Sequence, residues 1–122
     1  MAKNHEELCD LIRFEASQHG HRLWSVRPVK GYQGKKITIM YKGRLVKALV
    51  DLRYVSSDIP DGTPDLVGFT LKKNYPIFTG IEVKVGRDKL KKHQALTGKM
   101  LQGHGCVWGC VRSVEEYLNA LK

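Results

Sequence analysis

GTPDLVGFTLKKNYPIFTGIEVK, residues 62–84, is the stretch of sequence that decides the fold. It contains two β-compatible runs, residues 66–71 and 78–83, and the residues between them, 72–76, are turn formers. Two such runs separated by a short turn pair as antiparallel strands. The stretch therefore predicts a β-hairpin around which the rest of the chain is organised.

The register of this hairpin brings charged side chains together. With the turn centred at Lys73 and Asn74, paired residues have numbers that sum to about 147, which sets Asp65 roughly opposite Glu82. Directly opposed residues share a face and side chains alternate along a strand, so Lys84 lies on the face of Glu82. The other face carries the apolar residues Ile81, Val83 and Val85, which can be buried.

The paired carboxylates of Asp65 and Glu82 are typical of a metal site. Acidic side chains held close together repel each other and raise each other's pKa unless a cation neutralises them, and hard oxygen ligands suit Mg²⁺ or Mn²⁺. The alternative is a surface ladder of charges in which Lys84 pairs with Glu82 or Asp65. The Pro-Asp pair before the first strand and the register of the hairpin favour the metal site.

The composition is that of one globular domain, residues 1–122, and we find no membrane-spanning run, signal peptide or repeat. We therefore expect a cytoplasmic protein. The formal net charge of +9, from 21 Lys and Arg residues against 12 Asp and Glu residues, favours an anionic partner such as nucleic acid. Three cysteines without a Cys-x-x-Cys pair are expected to be reduced and structural.

An amphipathic helix is predicted from about His5 to Gln18. Asn4 and Glu7 have the spacing of a capping box, and apolar residues follow at helical intervals. Glu15 either covers the edge of the apolar stripe or belongs to a site, and Glu7 is either a cap or a site residue. The first helix thus offers carboxylates without deciding which of them is functional.

A basic loop and a second hairpin are predicted after a short strand at residues 23–26. The loop contains Gly31, Tyr32 and Gly34, and Arg27, Lys30, Lys35 and Lys36 surround it. Such a loop fits phosphate contacts with base stacking, and an ordinary solvated loop would look similar. The hairpin joins residues 37–41 to residues 44–52 through a two-residue turn, Lys42-Gly43.

A basic helix is predicted from about Gly86 to Gln102, with Asp88 near its N-cap. The stripe expected to be buried consists of Leu90, Gln94, Thr97 and Leu101. Gln94 either reaches back towards the charged cluster or bonds to backbone at the margin of the stripe. Four lysines, Lys89, Lys91, Lys92 and Lys99, crowd this helix, and we interpret them as a track for the DNA backbone.

The chain ends with a strand and a helix. Residues 105–112 form an apolar strand that we expect to be buried on both faces, and Ser113 caps a helix through Leu121. The order of elements predicts an α/β (α+β) fold with a mixed sheet flanked by helices.

This order and its motifs resemble the PD-(D/E)XK nuclease superfamily, and most closely the virus-type replication-repair nuclease (VRR-NUC) domains. The resemblance rests on Gly62-Thr63-Pro64-Asp65-Leu66-Val67-Gly68, on Gly80-Ile81-Glu82-Val83-Lys84 followed by Gly86-Arg87, on Gln94, and on Val111-Arg112-Ser113-Val114-Glu115. It implies a restriction-endonuclease-like fold of core order αβββαβ, here with an extra hairpin and a C-terminal helix.

The resemblance also implies roles for individual residues. Asp65 and Glu82, with the backbone carbonyl of Val83 and an acidic residue of the first helix, would hold one or two Mg²⁺ or Mn²⁺ ions. Glu7 is the first choice for that acidic residue, followed by Glu15 and Glu6. Lys84 would position or activate the attacking water, and Gln94 matches a glutamine beside the site. The residues expected to contact DNA are Lys35, Lys36, Arg87, Lys89 and Lys92.

The predicted function is a Mg²⁺- or Mn²⁺-dependent DNA endonuclease. Members of the family resemble phage-type resolvases, which implies activity on Holliday junctions or other branched DNA, a homodimer, and a bacterial or phage-infected cytoplasm. A nucleic-acid-binding module with this fold but without catalysis is the alternative. The intact set of Asp65, Glu82 and Lys84 favours the enzyme.

Overall fold

The structure, a computed structural model, describes residues 4–27 and 30–122. Its elements are α1 (His5–Gln18), β1 (Arg22–Ser25), β2 (Lys30–Tyr41), β3 (Arg44–Ser56), β4 (Leu66–Lys72), β5 (Tyr75–Val83), α2 (Lys92–Gly103), β6 (Val107–Val111) and α3 (Val114–Ala120). They form two compact units, residues 4–27 with 60–122, and residues 30–59. The domain predicted over residues 1–122 includes residues 1–3 and 28–29, which lie outside the described residues. The fold class is the predicted mixed α+β one.

The first unit is built on a four-stranded sheet of order β1-β4-β5-β6. The predicted register is confirmed, because Leu66 pairs with Ile81 and the antiparallel ladder continues to the pair of Lys72 with Tyr75. The turn is tighter than the predicted five-residue break. Lys73 and Asn74, with φ values of 50° and 68°, form a two-residue turn whose left-handed backbone suits a twisted hairpin.

Helices cover both faces of this sheet. Strand β6 pairs in parallel with β5, and α2 is the crossover between them, packing on the face that carries Gly80 and Trp108. On the other face, α1 and α3 enclose the core with the inward-facing strand residues. The buried core residues are Leu8, Cys9, Ile12, Ala16, Leu23, Leu66, Ile81, Val83, Val111 and Tyr117. Strand β6 is fully buried only on this core face, since Trp108 and Cys110 on the other face are half-buried.

The contact between α2 and β6 makes Gly98 a sensitive position. A methyl group on Gly98 would overlap the indole ring of Trp108. We expect Gly98→Ala to lower the free energy of unfolding by about 1–3 kcal/mol, because overpacking outweighs the higher helix propensity of alanine. Denaturant unfolding followed by circular dichroism measures this change.

Gly103, in the last turn of the same helix, supplies a matched control. A methyl group there meets no other atom within 4 Å, so Gly103→Ala should leave stability unchanged or raise it by up to about 1 kcal/mol. Equal unfolding midpoints for the two variants would contradict the packing of α2 on Trp108.

The start of the basic helix differs from the prediction. The helix begins at Lys92 with Lys91 as its N-cap, and its first turn contains no acidic residue. Lys91 and Lys92 thus lie at the N-terminus of the helix, where their charges oppose the helix dipole. Gly86 has a φ of 56°, and the carbonyls of Gly86 and Asp88 accept hydrogen bonds from the Arg112 guanidinium. Asp88 is therefore not a cap, and the segment before Lys91 is a connection held by Arg112, the residue that follows β6.

The stripe of residues predicted to be buried on this helix is only partly confirmed. Leu90 precedes the helix and is exposed. Thr97 is half-buried, its hydroxyl donating to the His93 carbonyl, and Leu101 lies beside Gly80.

The second unit is a long two-stranded ribbon of β2 and β3. The predicted hairpin with its Lys42-Gly43 turn is confirmed, but the loop predicted around residues 31–36 is wrong, since β2 already begins at Lys30. Gly34 lies in a bulge so close to the Val50 carbonyl that a side chain would not fit. Beyond the bulge the strands continue, with the rings of Tyr32 and Tyr54 in edge contact, 5.5 Å between centroids.

Among the described residues, no helix is both long and apolar enough to cross a membrane. The three cysteines, Cys9, Cys106 and Cys110, are free thiols, as predicted.

Candidate active site

Asp65 is fixed where the loop before β4 meets β5. The loop turns at Gly62, which has a φ of 86°, and both the N–H and the hydroxyl of Thr63 donate to the Pro60 carbonyl. The Asp65 carbonyl accepts a hydrogen bond from the N–H of Val26, 3.0 Å away. Its side-chain Oδ2 accepts one from the N–H of Val83 at 2.9 Å. Backbone contacts on both sides therefore hold the carboxylate against the end of β5.

Glu82 is a buried carboxylate with one oxygen unsatisfied. Its residue is 1% exposed, because α2 covers the sheet face from which it projects. Oε1 accepts a hydrogen bond from Gln94 Nε2 at 2.9 Å, whereas Oε2 is buried without a hydrogen-bond partner in the described part of the chain. Buried carboxylate oxygens are rarely left in this condition unless a ligand or an ion is to occupy the position. The ionised form of Glu82 would therefore leave this oxygen unpaired.

The surroundings of Glu82 favour its protonated form. The pKa of Glu82 is raised from its ordinary value of 4.5 to about 8. Burial is the largest cause. The neighbouring carboxylate of Asp65 adds to the rise through its charge and through a hydrogen bond with the protonated side chain, whereas the charges of Lys84 and Lys91 oppose it. The carboxyl group thus holds a proton at neutral pH when no cation is close to it. A cation bound between the two carboxylates would take the place of that proton.

Gln94 is placed by the start of α2. Its Oε1 accepts a hydrogen bond from the N–H of Lys91 at 2.9 Å, so the side chain closes the cap of its own helix. The Nε2 group then points at Glu82. Both alternatives left open for Gln94 are thus found together: its oxygen bonds to backbone, and its amide nitrogen reaches back to the charged cluster.

Lys84 follows Glu82 at the end of β5 and is 8% exposed. Its N–H donates to the Val111 carbonyl at 3.0 Å, which extends the pairing of β5 with β6. The side chain lines a cavity of about 390 Å³, whose other walls come from α1, the residues after β5 and the start of α3. The remaining lining residues are Leu8, Leu11, Val85, Gly86, Arg112, Ser113 and Val114. Lys84 therefore lines an open cavity, and its charge acts on Glu82.

The first helix places a histidine against Asp65. His5 Nε2 lies 3.2 Å from Asp65 Oδ2, and His5 Nδ1 lies 3.7 Å from Cys9 Sγ. His5 is not among the residues predicted from the sequence. Its position one helical turn before Cys9, on the buried side of α1, is the signal that could have pointed to it. This contact occupies the part of the site where a first-helix carboxylate was expected.

The three candidate glutamates of α1 have contacts of their own. Glu7 is exposed, and its N–H donates to Asn4 Oδ1 at 2.8 Å, which confirms the predicted cap. Glu6 faces Arg27 at 3.9 Å and Glu15 faces His19 at 3.2 Å. Within residues 4–27 and 30–122, no group of three His, Cys, Asp or Glu side chains is arranged to hold a metal ion. The role of Glu7 as a third ligand stays a prediction.

The residues expected to contact DNA are exposed and divided between the two units. Arg87 and Lys89 lie in the connection before α2, and Lys92 is the first residue of that helix. Lys35 and Lys36 are neighbours in β2, so their side chains point to opposite faces of the ribbon and cannot belong to one flat surface.

Comparison with known proteins agrees with this geometry. The family model of the VRR-NUC domain matches residues 11–115, a range that includes Asp65, Glu82, Lys84 and Gln94. No curated protein and no solved structure matches the chain. Because the family model covers nearly the whole sequence, the chain belongs to the VRR-NUC family, and its function is of the nuclease type.

Proposed function

We propose that this protein is a Mg²⁺- or Mn²⁺-dependent DNA endonuclease whose active centre is formed by Asp65, Glu82 and Lys84. The observation that carries the proposal is the unsatisfied, buried Oε2 of Glu82 beside a second carboxylate. Carboxylate oxygens are the donors that these two ions prefer. The family membership supports the same reaction class.

Each residue has a part in the proposed reaction. Asp65 and Glu82 would hold the ion, together with the backbone carbonyl of Val83, and Mg²⁺ commonly completes its shell with water and phosphate oxygens. The bound ion supplies Lewis-acid chemistry at the scissile phosphate. Gln94 orients Glu82 through Oε1 and leaves Oε2 for the ion. The Lys84 ammonium, whose charge acts on Glu82, stabilises negative charge on the phosphate and positions the attacking water.

The substrate we propose is branched DNA such as a four-way junction. The support is the likeness to phage-type resolvases and the net charge of +9. A resolvase cuts two strands symmetrically, so the proposal includes a homodimer acting in a bacterial or phage-infected cytoplasm. Arg87, Lys89 and Lys92, exposed before and at the start of α2, would contact the phosphate backbone.

A cleavage panel tests the proposal. The protein is incubated with supercoiled plasmid, linear duplex, a flap, single-stranded DNA and a four-way junction, each with Mg²⁺, Mn²⁺ or EDTA. We expect cleavage only with a metal, because Asp65 and Glu82 are proposed to hold a divalent ion. We expect the fastest cleavage on the four-way junction, because of the likeness to resolvases. Binding without cleavage under every metal condition would instead favour a nucleic-acid-binding module.

A further inference from the structure

The β2–β3 ribbon has a face that the nuclease chemistry does not explain. Cross-strand pairing sets Met40 opposite Leu45, Thr38 opposite Lys47, and Lys36 opposite Leu49. Directly opposed residues project to the same side. These side chains therefore form one surface, which we call the ribbon face: Lys36, Thr38, Met40, Leu45, Lys47 and Leu49.

The tip of the ribbon face is apolar and exposed. Met40 is 65% exposed and Leu45 is 72% exposed, and the two residues pair across the strands beside the turn. The turn residues Lys42 and Gly43 have φ values of 48° and 74°, which fit a two-residue hairpin turn. Lys42 Nζ lies 5.4 Å from the centroid of the Tyr41 ring. The tip therefore presents an apolar pair on a defined backbone, and Lys42 covers the ring of Tyr41 on the opposite face.

Charge identifies the kind of partner that suits this surface. Residues 30–59 contain seven Lys and Arg residues and two Asp residues, a formal net charge of +5. Lys36 and Lys47 line a depression of about 240 Å³ on the ribbon together with Ala48 and Leu49. Two such ribbons would repel each other, whereas a polyanion would be attracted. The charge therefore favours nucleic acid over a second copy of the chain.

We propose that the ribbon face binds the nucleic-acid substrate, with Lys36 and Lys47 on phosphates and the pair of Met40 and Leu45 against unstacked bases. Lysines of a β-ribbon can neutralise phosphates, and apolar side chains such as Leu and Met act as wedges between base steps in proteins that distort DNA. Bases are unstacked at branches and distortions, so this contact would select them. The inference rests on the proposed nuclease function for its ligand and adds the element that recognises branched DNA.

The first test measures selectivity without cleavage. Fluorescence anisotropy in EDTA compares affinity for a four-way junction with affinity for a linear duplex of the same length. For Met40→Ser with Leu45→Ser, we expect the preference for the junction to fall by about tenfold, since contact with one unstacked base contributes a factor of this order. Affinity for the linear duplex should change less than about twofold. Tyr75→Ser, at the exposed turn of the β4–β5 hairpin, is the control.

The second test measures the phosphate contacts. For Lys36→Ala with Lys47→Ala, we expect the slope of log K against log salt concentration to become shallower by about 2, since each lost phosphate contact changes it by about 0.9. The charge-matched control is Lys72→Ala with Lys122→Ala, two exposed lysines outside the ribbon. This control should keep the wild-type slope.

The outcomes separate this inference from the proposed function. An unchanged junction preference together with an unchanged salt slope overturns the inference, even if the wild type cleaves DNA with metal. A reduced junction preference in the first test and a shallower salt slope in the second, with an unchanged circular dichroism spectrum, support the inference. If no metal gives cleavage in that case, only the proposed catalysis fails. The alternative partner is a second copy of the chain, and light scattering tests it by measuring the molar mass. If Met40→Ser with Leu45→Ser turns a dimer into a monomer while the salt slope stays unchanged, the ribbon face joins two copies and the inference is wrong.

Discussion

Alanine at Asp65, Glu82 or Lys84 is expected to lower the rate of metal-dependent DNA cleavage at least about a thousandfold, which corresponds to about 4 kcal/mol of transition-state stabilisation. Asp65→Ala and Glu82→Ala each remove one of the two carboxylates proposed to hold the ion. Lys84→Ala removes the cation whose charge acts on Glu82 and which lines the cavity. Salt-sensitive DNA binding should stay largely intact, because it depends on exposed cations elsewhere.

The measurement is a single-turnover rate on the best substrate of the cleavage panel, with binding to the same substrate in EDTA as the parallel readout. Glu82→Gln is added because it keeps the shape of the side chain and the hydrogen bond to Gln94. Asp10→Ala is the control, since Asp10 is exposed on α1 and its ion pair with Arg13 lies at the surface. Wild-type rates in two of the three alanine variants would refute the assigned site.

Gln94→Ala separates positioning from ligation within the same experiment. Gln94 does not reach the proposed ion, but it holds one oxygen of Glu82 and so directs the other. Removing residues that orient metal ligands commonly costs 10- to 100-fold. A loss of about that size at saturating metal, smaller than that of Glu82→Ala, is the expected result.

The central hairpin could be predicted because its information is local. Lys73 and Asn74 favour a two-residue turn, and the turn fixes every pair of the ladder, including the one that brings Asp65 to the end of β5. The burial of Glu82 was not predictable in the same way. It depends on α2 lying over that sheet face, a contact between residues distant in the sequence.

The sequence-based predictions that were wrong or incomplete, like the burial of Glu82, depend on contacts between residues distant in the chain. Glycines and lysines around residues 31–36 look like a loop, but cross-strand pairing with β3 makes them a strand, and Gly34 is needed for its bulge. The start of α2 is delayed because Arg112, in the residues after β6, binds the carbonyls of Gly86 and Asp88. His5 was missed because its partner, Asp65, is sixty residues away in the chain.

The pH dependence of stability tests the buried carboxyl group without any cleavage assay. The pKa of Glu82 is about 8 in the folded protein against 4.5 as the ordinary value. Between these two pH values the folded state holds a proton that the unfolded chain has released, so the free energy of unfolding falls as pH rises. The contribution of Glu82 to this fall, complete above about pH 8, is expected to be roughly 2–5 kcal/mol in metal-free protein.

Glu82→Gln isolates that contribution, because its amide is neutral at every pH. The variant and the wild type should have similar free energies of unfolding near pH 5, and the variant should be the more stable one at pH 9, with EDTA present throughout. Using the difference cancels other titrating groups such as Cys9 and His21, whose pKa values burial also shifts. Glu115→Gln, on the exposed first turn of α3, is the control and should follow the wild type.

Metal should reverse the destabilisation at high pH. Mg²⁺ or Mn²⁺ binds the ionised carboxylates of the folded state, so adding it at pH 9 should raise the melting temperature of the wild type. The rise should be much smaller at pH 5, where a proton competes for Glu82, and much smaller in Glu82→Gln at both pH values. A wild type whose stability runs parallel to that of Glu82→Gln from pH 5 to pH 9 would show that the carboxyl group does not titrate there. An equal response of both proteins to metal would place the ion elsewhere.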